Sequence, residues 1–340
     1  MNTLLLDAGN SGDVARAASI LRSGGLVGIP TETVYGLAAN ALDGAAVAKI
    51  FAAKGRPMDN PLIVHIAEFG ALRSLTSCVP EKAVVLAERF WPGPLTIILP
   101  KSDIVPDEVS AGLDTVAIRF PSHPAARRVI AESGVPLAAP SANTSGRPSP
   151  TTARHVLDDM DGKIDAVLDG GPCSVGVEST VITLATATPT LLRPGGITLE
   201  QLQAAIGGVK VDDAVMNPLK DGVKASSPGM KYKHYSPKAD VIIIDADTDR
   251  YIEFVNAHAS DGVAALCYDE DSEKLHVPSV SYGRHDDFQA MAHELFDALR
   301  ALDEEYGAVK VYARCPQPSG VGLAVYNRLI RAAGFQVIKL

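Results

Sequence analysis

Lys54-Gly55-Arg56 sets two cations around a glycine, and Asn60-Pro61 and His65 follow it closely. The glycine lets backbone approach an anion, a guanidinium can clamp two phosphate oxygens, and an ammonium can neutralise a third. That chemistry is polyphosphate binding. A basic helix end set against the macrodipole is the competing reading; it accounts for Lys54 but leaves the Gly55-Arg56-Pro57 to Asn60-Pro61 loop without a purpose. His65, at the end of an apolar run, reads as a satisfied core histidine or as a ligand-side imidazole.

Four further loops repeat the theme of hydroxyl, glycine and cation at the exit of an apolar run. Pro30-Thr31-Glu32-Thr33-Val34-Tyr35-Gly36-Leu37 offers donors and acceptors to a small polar ligand, or is a capped turn over a buried tyrosine. Ala139-Pro140-Ser141-Ala142-Asn143-Thr144-Ser145-Gly146-Arg147-Pro148-Ser149 could wrap phosphates and a magnesium ion, or be a turn-rich loop. Gly170 to Thr180 and Leu192-Arg193-Pro194-Gly195-Gly196 complete the set. Arg119 lies inside Val116-Ala117-Ile118-Arg119-Phe120, where a buried charge needs a partner: a bound carboxylate or an internal salt bridge. Cys173 has no base beside it in the sequence and reads as structural.

The elements that must hold these loops fall into two regions. A helical pattern over 13–22, with Ser11 as its N-cap, stops at Gly24-Gly25 and leads into a first strand at 26–29. A second helix runs over 45–53 and ends at Lys54-Gly55. Strand-like runs at 62–66, 96–99, 116–120, 137–139, 166–168, 179–184 and 190–192 are interrupted irregularly by helices at 81–90, 124–133, 152–158 and 199–206. That irregularity predicts a mixed α/β sheet. Residues 207–238 read as a linker rich in Gly, Pro, Ser, Lys and Tyr. Beyond it, strands at 241–244, 263–268, 308–312 and 336–338 alternate with helices, which predicts a small parallel, doubly wound domain. The domains expected are 1–206 and 239–340, joined by 207–238.

Bulk properties exclude several classes. A chain of 340 residues suits two cores. The net charge of −9 argues against a general grip on nucleic-acid phosphates, so any anion must be met by local cations and N–H groups. Four scattered cysteines form neither a zinc knuckle nor a disulfide framework, and no run is long enough to span a membrane, so a cytoplasmic protein is expected. There is no P-loop, no complete G-x-G-x-x-G after a strand, no H-E-x-x-H and no G-x-S-x-G; Gly320-Val321-Gly322 is only a partial fingerprint. If ATP binds here, it does so by another route.

Taken in order, Thr31 to Leu37, Lys54-Gly55-Arg56-Pro57, Pro140-Ser141-Ala142-Asn143, Gly176-Val177-Glu178-Ser179-Thr180 and Leu192-Arg193-Pro194-Gly195 resemble the YrdC-like domain. With the linker from Ser227 to Pro237 and the segment Ser319 to Arg328, nearly the whole chain resembles the long, two-domain L-threonylcarbamoyladenylate synthase family. That resemblance implies a YrdC-like twisted mixed sheet with a concave active site, followed by a smaller Rossmann-like domain. It implies a nucleotidyltransferase that makes threonylcarbamoyl-AMP from L-threonine, bicarbonate or CO2, and ATP, releasing pyrophosphate, for modification of a tRNA adenosine beside the anticodon. It places L-threonine on Thr33, His65, Arg119, the backbone at Ala139, and Ser179, with Arg119 meeting the carboxylate. It places ATP on Lys54, Arg56, Asn60, Thr115, Ser141, Asn143, Ser149, Arg193 and the linker residue Tyr235, with Lys54 and Arg56 as catalytic cations. Mg2+ is implied as a cofactor held mainly by the ATP phosphates, with no protein ligand named. The linker becomes a lid. Hand-over of product to a tRNA threonylcarbamoyl transferase complex and a weak RNA contact are implied partners, and a membrane is not. Thr183 departs from the resemblance, which has an acidic residue there, and lies apart from the ligand set.

Two other readings compete. Lys231-Tyr232-Lys233-His234-Tyr235 and the cationic loops could form an RNA-binding module without catalysis, which the net charge opposes. A carbamoyl-adenylate enzyme of the hydrogenase-maturation type would carry C-x-x-C segments and an acylphosphatase module, both absent.

Overall fold

The computed structural model describes residues 2–218 and 234–340; residues 219–233, the middle of the expected lid, lie outside the described residues. The chain divides into two compact units.

The first unit carries strands β1 (Leu4–Asp7), β2 (Val27–Ile29), β3 (Gly36–Asn40), β4 (Ile63–His65), β5 (Leu95–Pro100), β6 (Thr115–Arg119), β7 (Leu137–Ala138), β8 (Ala166–Asp169), β9 (Thr180–Thr183), β10 (Thr190–Arg193) and β11 (Lys210–Val211). They form one sheet in the order β1-β8-β2-β3-β7-β4-β6-β5-β9-β10-β11. Parallel pairs such as β4/β6 and β5/β9 alternate with antiparallel ones such as β4/β7 and β5/β6. The sheet is mixed, as the irregular spacing of helices requires.

Two local expectations are corrected. Leu4 to Leu6 belong to a strand, β1, so the helix Ser11–Arg22 does not feed the first strand but follows it. β1 earns its place only by pairing with β8, from Leu4↔Ala166 to Asp7↔Asp169, a partner far along the chain. The cap of that helix is Asn10, whose side chain accepts from the N–H groups of Gly12 and Asp13, and Ser11 is already helical. Farther on, Lys210–Val211, inside the stretch that reads as linker, pairs with β10.

The period-2 alternation of the strands sorts their side chains onto two faces. On one face Val64, Ile97, Ile118, Ile182 and Leu191 join the helices Gly44–Lys54, Glu81–Phe90 and Ala153–Met160 in the main core. The opposite face is split. Over β1, β8, β2, β3 and β7 it is covered by Ser11–Arg22 and Pro124–Ser133 through Val14, Leu21, Val129 and Ile130. Over β4, β6, β5, β9 and β10 it holds a small apolar patch, Ile63, Ala117, Ile98, Val181 and Leu192, joined by Ala214 from a short 3-10 turn. His65, Arg119 and Thr96 are on this last face, two residues along from Ile63, Ala117 and Ile98.

The second unit comprises residues 234–340 together with Gly146–Pro148 and Val175–Val177. Its strands β12 (Asp240–Asp245), β13 (Val263–Cys267), β14 (Ser279–Ser281), β15 (Lys310–Arg314) and β16 (Val337–Lys339) form a parallel sheet in the order β14-β13-β15-β12-β16. This is the doubly wound domain expected, with β14 added: a short, half-buried edge strand of three residues with no apolar run to announce it. Among the described residues no helix is long and apolar enough to cross a membrane.

Candidate active site

Lys54 is the last residue of its helix, which starts on the Asp43 cap and stops because Gly55 takes the left-handed conformation, φ 62°. Its side chain turns into the protein and is 3% exposed. Nζ donates to the carbonyl oxygens of Ser141 at 2.5 Å and Asn143 at 2.6 Å, and to Asn143 Oδ1 at 3.3 Å. An ammonium has three N–H donors, and three oxygens receive them. Burial, and then the Arg56 charge, push the Lys54 pKa well down, while Asp159 and Glu178 pull it back. The Lys54 carbonyl in turn accepts from the Ser145 N–H, so one residue ties the Ser141–Ser145 loop from both its main chain and its side chain. Arg56 lies just beyond, donating to the Asn60 carbonyl at 3.3 Å with its guanidinium over the Phe51 ring.

The Thr31–Tyr35 loop is closed by its own hydroxyls. Thr31 Oγ1 donates its single proton to the Val34 carbonyl at 2.6 Å. Thr31 Oγ1 also accepts from the Thr33 and Val34 N–H groups at 3.2 and 3.3 Å, and lies 2.9 Å from Thr33 Oγ1. Tyr35 is fully buried, donates to the Gly171 carbonyl and accepts from the Gly170 N–H. Its backbone binds the neighbouring loop twice, with Tyr35 N donating to Pro150 O and Ala142 N donating to Tyr35 O. The buried-tyrosine reading of this loop thus holds, and it is what fastens three of the loops together.

A polar row crosses the open half of the sheet. The register places His65 beside Arg119 and Arg119 beside Thr96. Thr96 Oγ1 lies 2.7 Å from Ser179 Oγ; Arg193 donates to Ser179 twice, Nε to the carbonyl at 3.0 Å and Nη2 to Oγ at 3.1 Å. Arg119 Nη2 is 2.8 Å from Glu32 Oε1, an ion pair with both side chains buried, while Arg119 Nε is buried with no hydrogen-bond partner among the described residues. Burial pulls the Glu32 carboxyl up, but the Arg119 charge and hydrogen bonds, with the Ser122 N–H, outweigh it and hold Glu32 below its usual range. Burial, and then Arg119, push His65 down to about 3, so its ring is neutral at neutral pH; Nδ1 is 3.2 Å from the Ile63 carbonyl.

Of the remaining candidates, Ser149 Oγ donates to Glu178 Oε1 at 2.5 Å, both buried. The Ala139 N–H is taken by the Ile63 carbonyl. Thr115 opens β6 on the face that carries Arg119. Tyr235 belongs to the second unit, where it has a left-handed φ of 63° and packs on Phe296 and Arg328.

Residues 19–195 match the protein family described as Telomere recombination (Sua5, YciO and YrdC), and residues 197–334 match that described as Threonylcarbamoyl-AMP synthase, C-terminal domain. The threonylcarbamoyl-AMP synthase of Bacillus subtilis (strain 168) is 49% identical over 337 residues, covering 97% of this chain and 95% of its own. The chain belongs to the threonylcarbamoyl-AMP synthase family. The synthase of Pyrococcus abyssi (strain GE5 / Orsay) is 48% identical over 331 residues, 95% of each chain. The crystal structure of P. abyssi Sua5 complexed with L-threonine superposes with a TM-score of 0.91 at 45% identity, covering 100% of both chains.

Within this synthase fold, Lys54, Ser141 and Asn143 form one bonded cluster, and His65, Arg119, Ser179 and Arg193 line one row. Three participants escaped sequence reasoning: Glu32, Thr96 and Glu178. Glu32 carried a signal, since it is the one carboxylate in its own hydroxyl loop and Arg119 needs a partner. Thr96 carried none, because a threonine in a strand is ordinary.

Proposed function

We propose that this chain condenses L-threonine, bicarbonate or CO2, and ATP into L-threonylcarbamoyl-AMP with release of pyrophosphate, supplying the threonylcarbamoyl group for tRNA modification. The observation that carries the reading is the full-length match to a solved relative with L-threonine bound. The residue roles are those that the family resemblance implies. Arg119, charged, buried and retaining an Nε without a partner, meets the threonine carboxylate; Thr33, His65, the Ala139 backbone and Ser179 surround the rest. Lys54, Arg56, Asn60, Thr115, Ser141, Asn143, Ser149 and Arg193 hold ATP.

A carbamate is a weak nucleophile that water readily destroys, so the site must align it with the α-phosphate and exclude solvent. The burial of His65, Arg119, Thr96 and Ser179 suits that demand. The neutral His65 ring adds no second cation beside Arg119, so the amino group keeps its lone pair for reaction. Arg56 faces the leaving pyrophosphate. Lys54 adds its charge from behind the Ser141–Asn143 loop, a fixed field that needs no reorganisation.

Among the described residues, Glu270, His285 and Asp286 are the only three metal-type side chains close enough to share an ion, and they are exposed in the second unit. Mg2+ is taken to arrive on the ATP phosphates, where it would supply charge neutralisation. On this reading the chain acts in the cytoplasm and passes its product to a tRNA threonylcarbamoyl transferase complex.

Incubation with ATP, L-threonine, bicarbonate and Mg2+ should yield threonylcarbamoyl-AMP by mass spectrometry. Absence of that product with intact components overturns the proposal.

A further inference from the structure

Thr96 is fully buried in the central strand β5, between Leu95 and Ile97, and takes no part in the cation clusters. Its hydroxyl meets Ser179 Oγ at 2.7 Å, and Ser179 Oγ also accepts from Arg193 Nη2. Each hydroxyl has one proton and two acceptor positions. If Ser179 donated to Thr96, the Thr96 proton would be stranded in the core with no acceptor among the described residues. If Thr96 donates, Ser179 receives two protons, from Thr96 and Arg193, and its own proton is left to point at a ligand. With a ligand oxygen at Ser179, only this second arrangement satisfies every group.

We propose that Thr96 is a specificity-determining positioning residue, which fixes Ser179 as a hydrogen-bond donor to the side-chain hydroxyl oxygen of the amino-acid substrate. The inference rests on the reading of Ser179 as a threonine contact. Arg119 accounts for the carboxylate, so the oxygen left for Ser179 is the hydroxyl. A hydroxylated amino acid offers Ser179 an acceptor. One lacking the hydroxyl leaves the Ser179 proton unmet.

The test is calorimetric binding to the full chain of L-threonine and of L-2-aminobutyrate, which replaces the hydroxyl by hydrogen. Thr96→Val keeps the shape and removes the hydroxyl. It should weaken L-threonine binding by about 10-fold, the loss of one hydrogen bond, while binding of L-2-aminobutyrate stays at the wild-type level. Thr96→Ser should restore wild-type preference. Unchanged L-threonine binding in Thr96→Val overturns the inference, and so does an equal loss for both amino acids, which marks a packing role. A wild-type chain that does not bind L-threonine overturns the proposed function itself.

Discussion

Arg119 and Glu32 form a buried ion pair, Nη2 to Oε1 at 2.8 Å, where Arg119 lies in register with His65 and Thr96. Removing one charge leaves the other uncompensated in a dry setting. Glu32→Gln should therefore cost about 3–5 kcal/mol of unfolding free energy, read from urea denaturation. It should also weaken L-threonine binding more than ATP binding. A Glu32→Gln protein of wild-type stability would show that Arg119 needs no internal counter-ion.

The pH dependence follows from His65. Its folded pKa of about 3 lies below the ordinary 6.5, so the unfolded chain binds the extra proton between those values. Its contribution is fully present above pH 6.5 and lost as pH falls toward 3, on the order of 1 kcal/mol per pH unit. Glu32, whose pKa is lowered, acts in the same direction: its contribution is present above the ordinary 4.5 and fades as pH falls through its folded value. His65→Asn should flatten the stability profile between pH 6.5 and 4.5, as measured by denaturant midpoints. An unaltered slope there would assign the acid sensitivity elsewhere.

Lys54 and Arg56 should separate by their stability effects. Each, replaced by alanine, should lower turnover on the order of 100-fold by removing a preorganised charge. Lys54→Ala should in addition lose about 1–3 kcal/mol, because the Ser141 and Asn143 carbonyls lose their donor. Arg56, half-buried and at the surface end of the loop, should lose less. Equal thermal midpoints for the two variants would contradict the stapling role of Lys54.

Gly195 sits where no side chain fits. A Cβ there would stand 2.3 Å from the Thr180 nitrogen and 2.7 Å from the Glu178 carbonyl oxygen. Gly195→Ala must shift the strand that delivers Ser179, at a cost of about 1–3 kcal/mol, with a matching rise in the KM for L-threonine. Wild-type KM and stability together would mean the loop gives way freely.

Period-2 runs and glycine stops made most strands and the ends of helices readable, and the helix ending at Lys54-Gly55 is an instance. β1 and β14 were not readable, because four and three residues carry too little pattern and owe their conformation to pairing with β8 and β13. The site loops were legible by residue type, but their internal partners were not. Arg119 left two options open in the sequence, and the structure supplies the internal one through Glu32.

By itself the sequence determined the family, the hydroxyl and cationic residues available, and the order of their loops, since these reside in residue identity and local spacing. Which carboxylate faces Arg119, which carbonyls consume the Lys54 ammonium, and which hydroxyl stands behind Ser179 were decided only by tertiary structure. Strand register is set by pairing across long stretches of chain, and a hydrogen bond demands placement to a few tenths of an ångström. No local pattern carries that information.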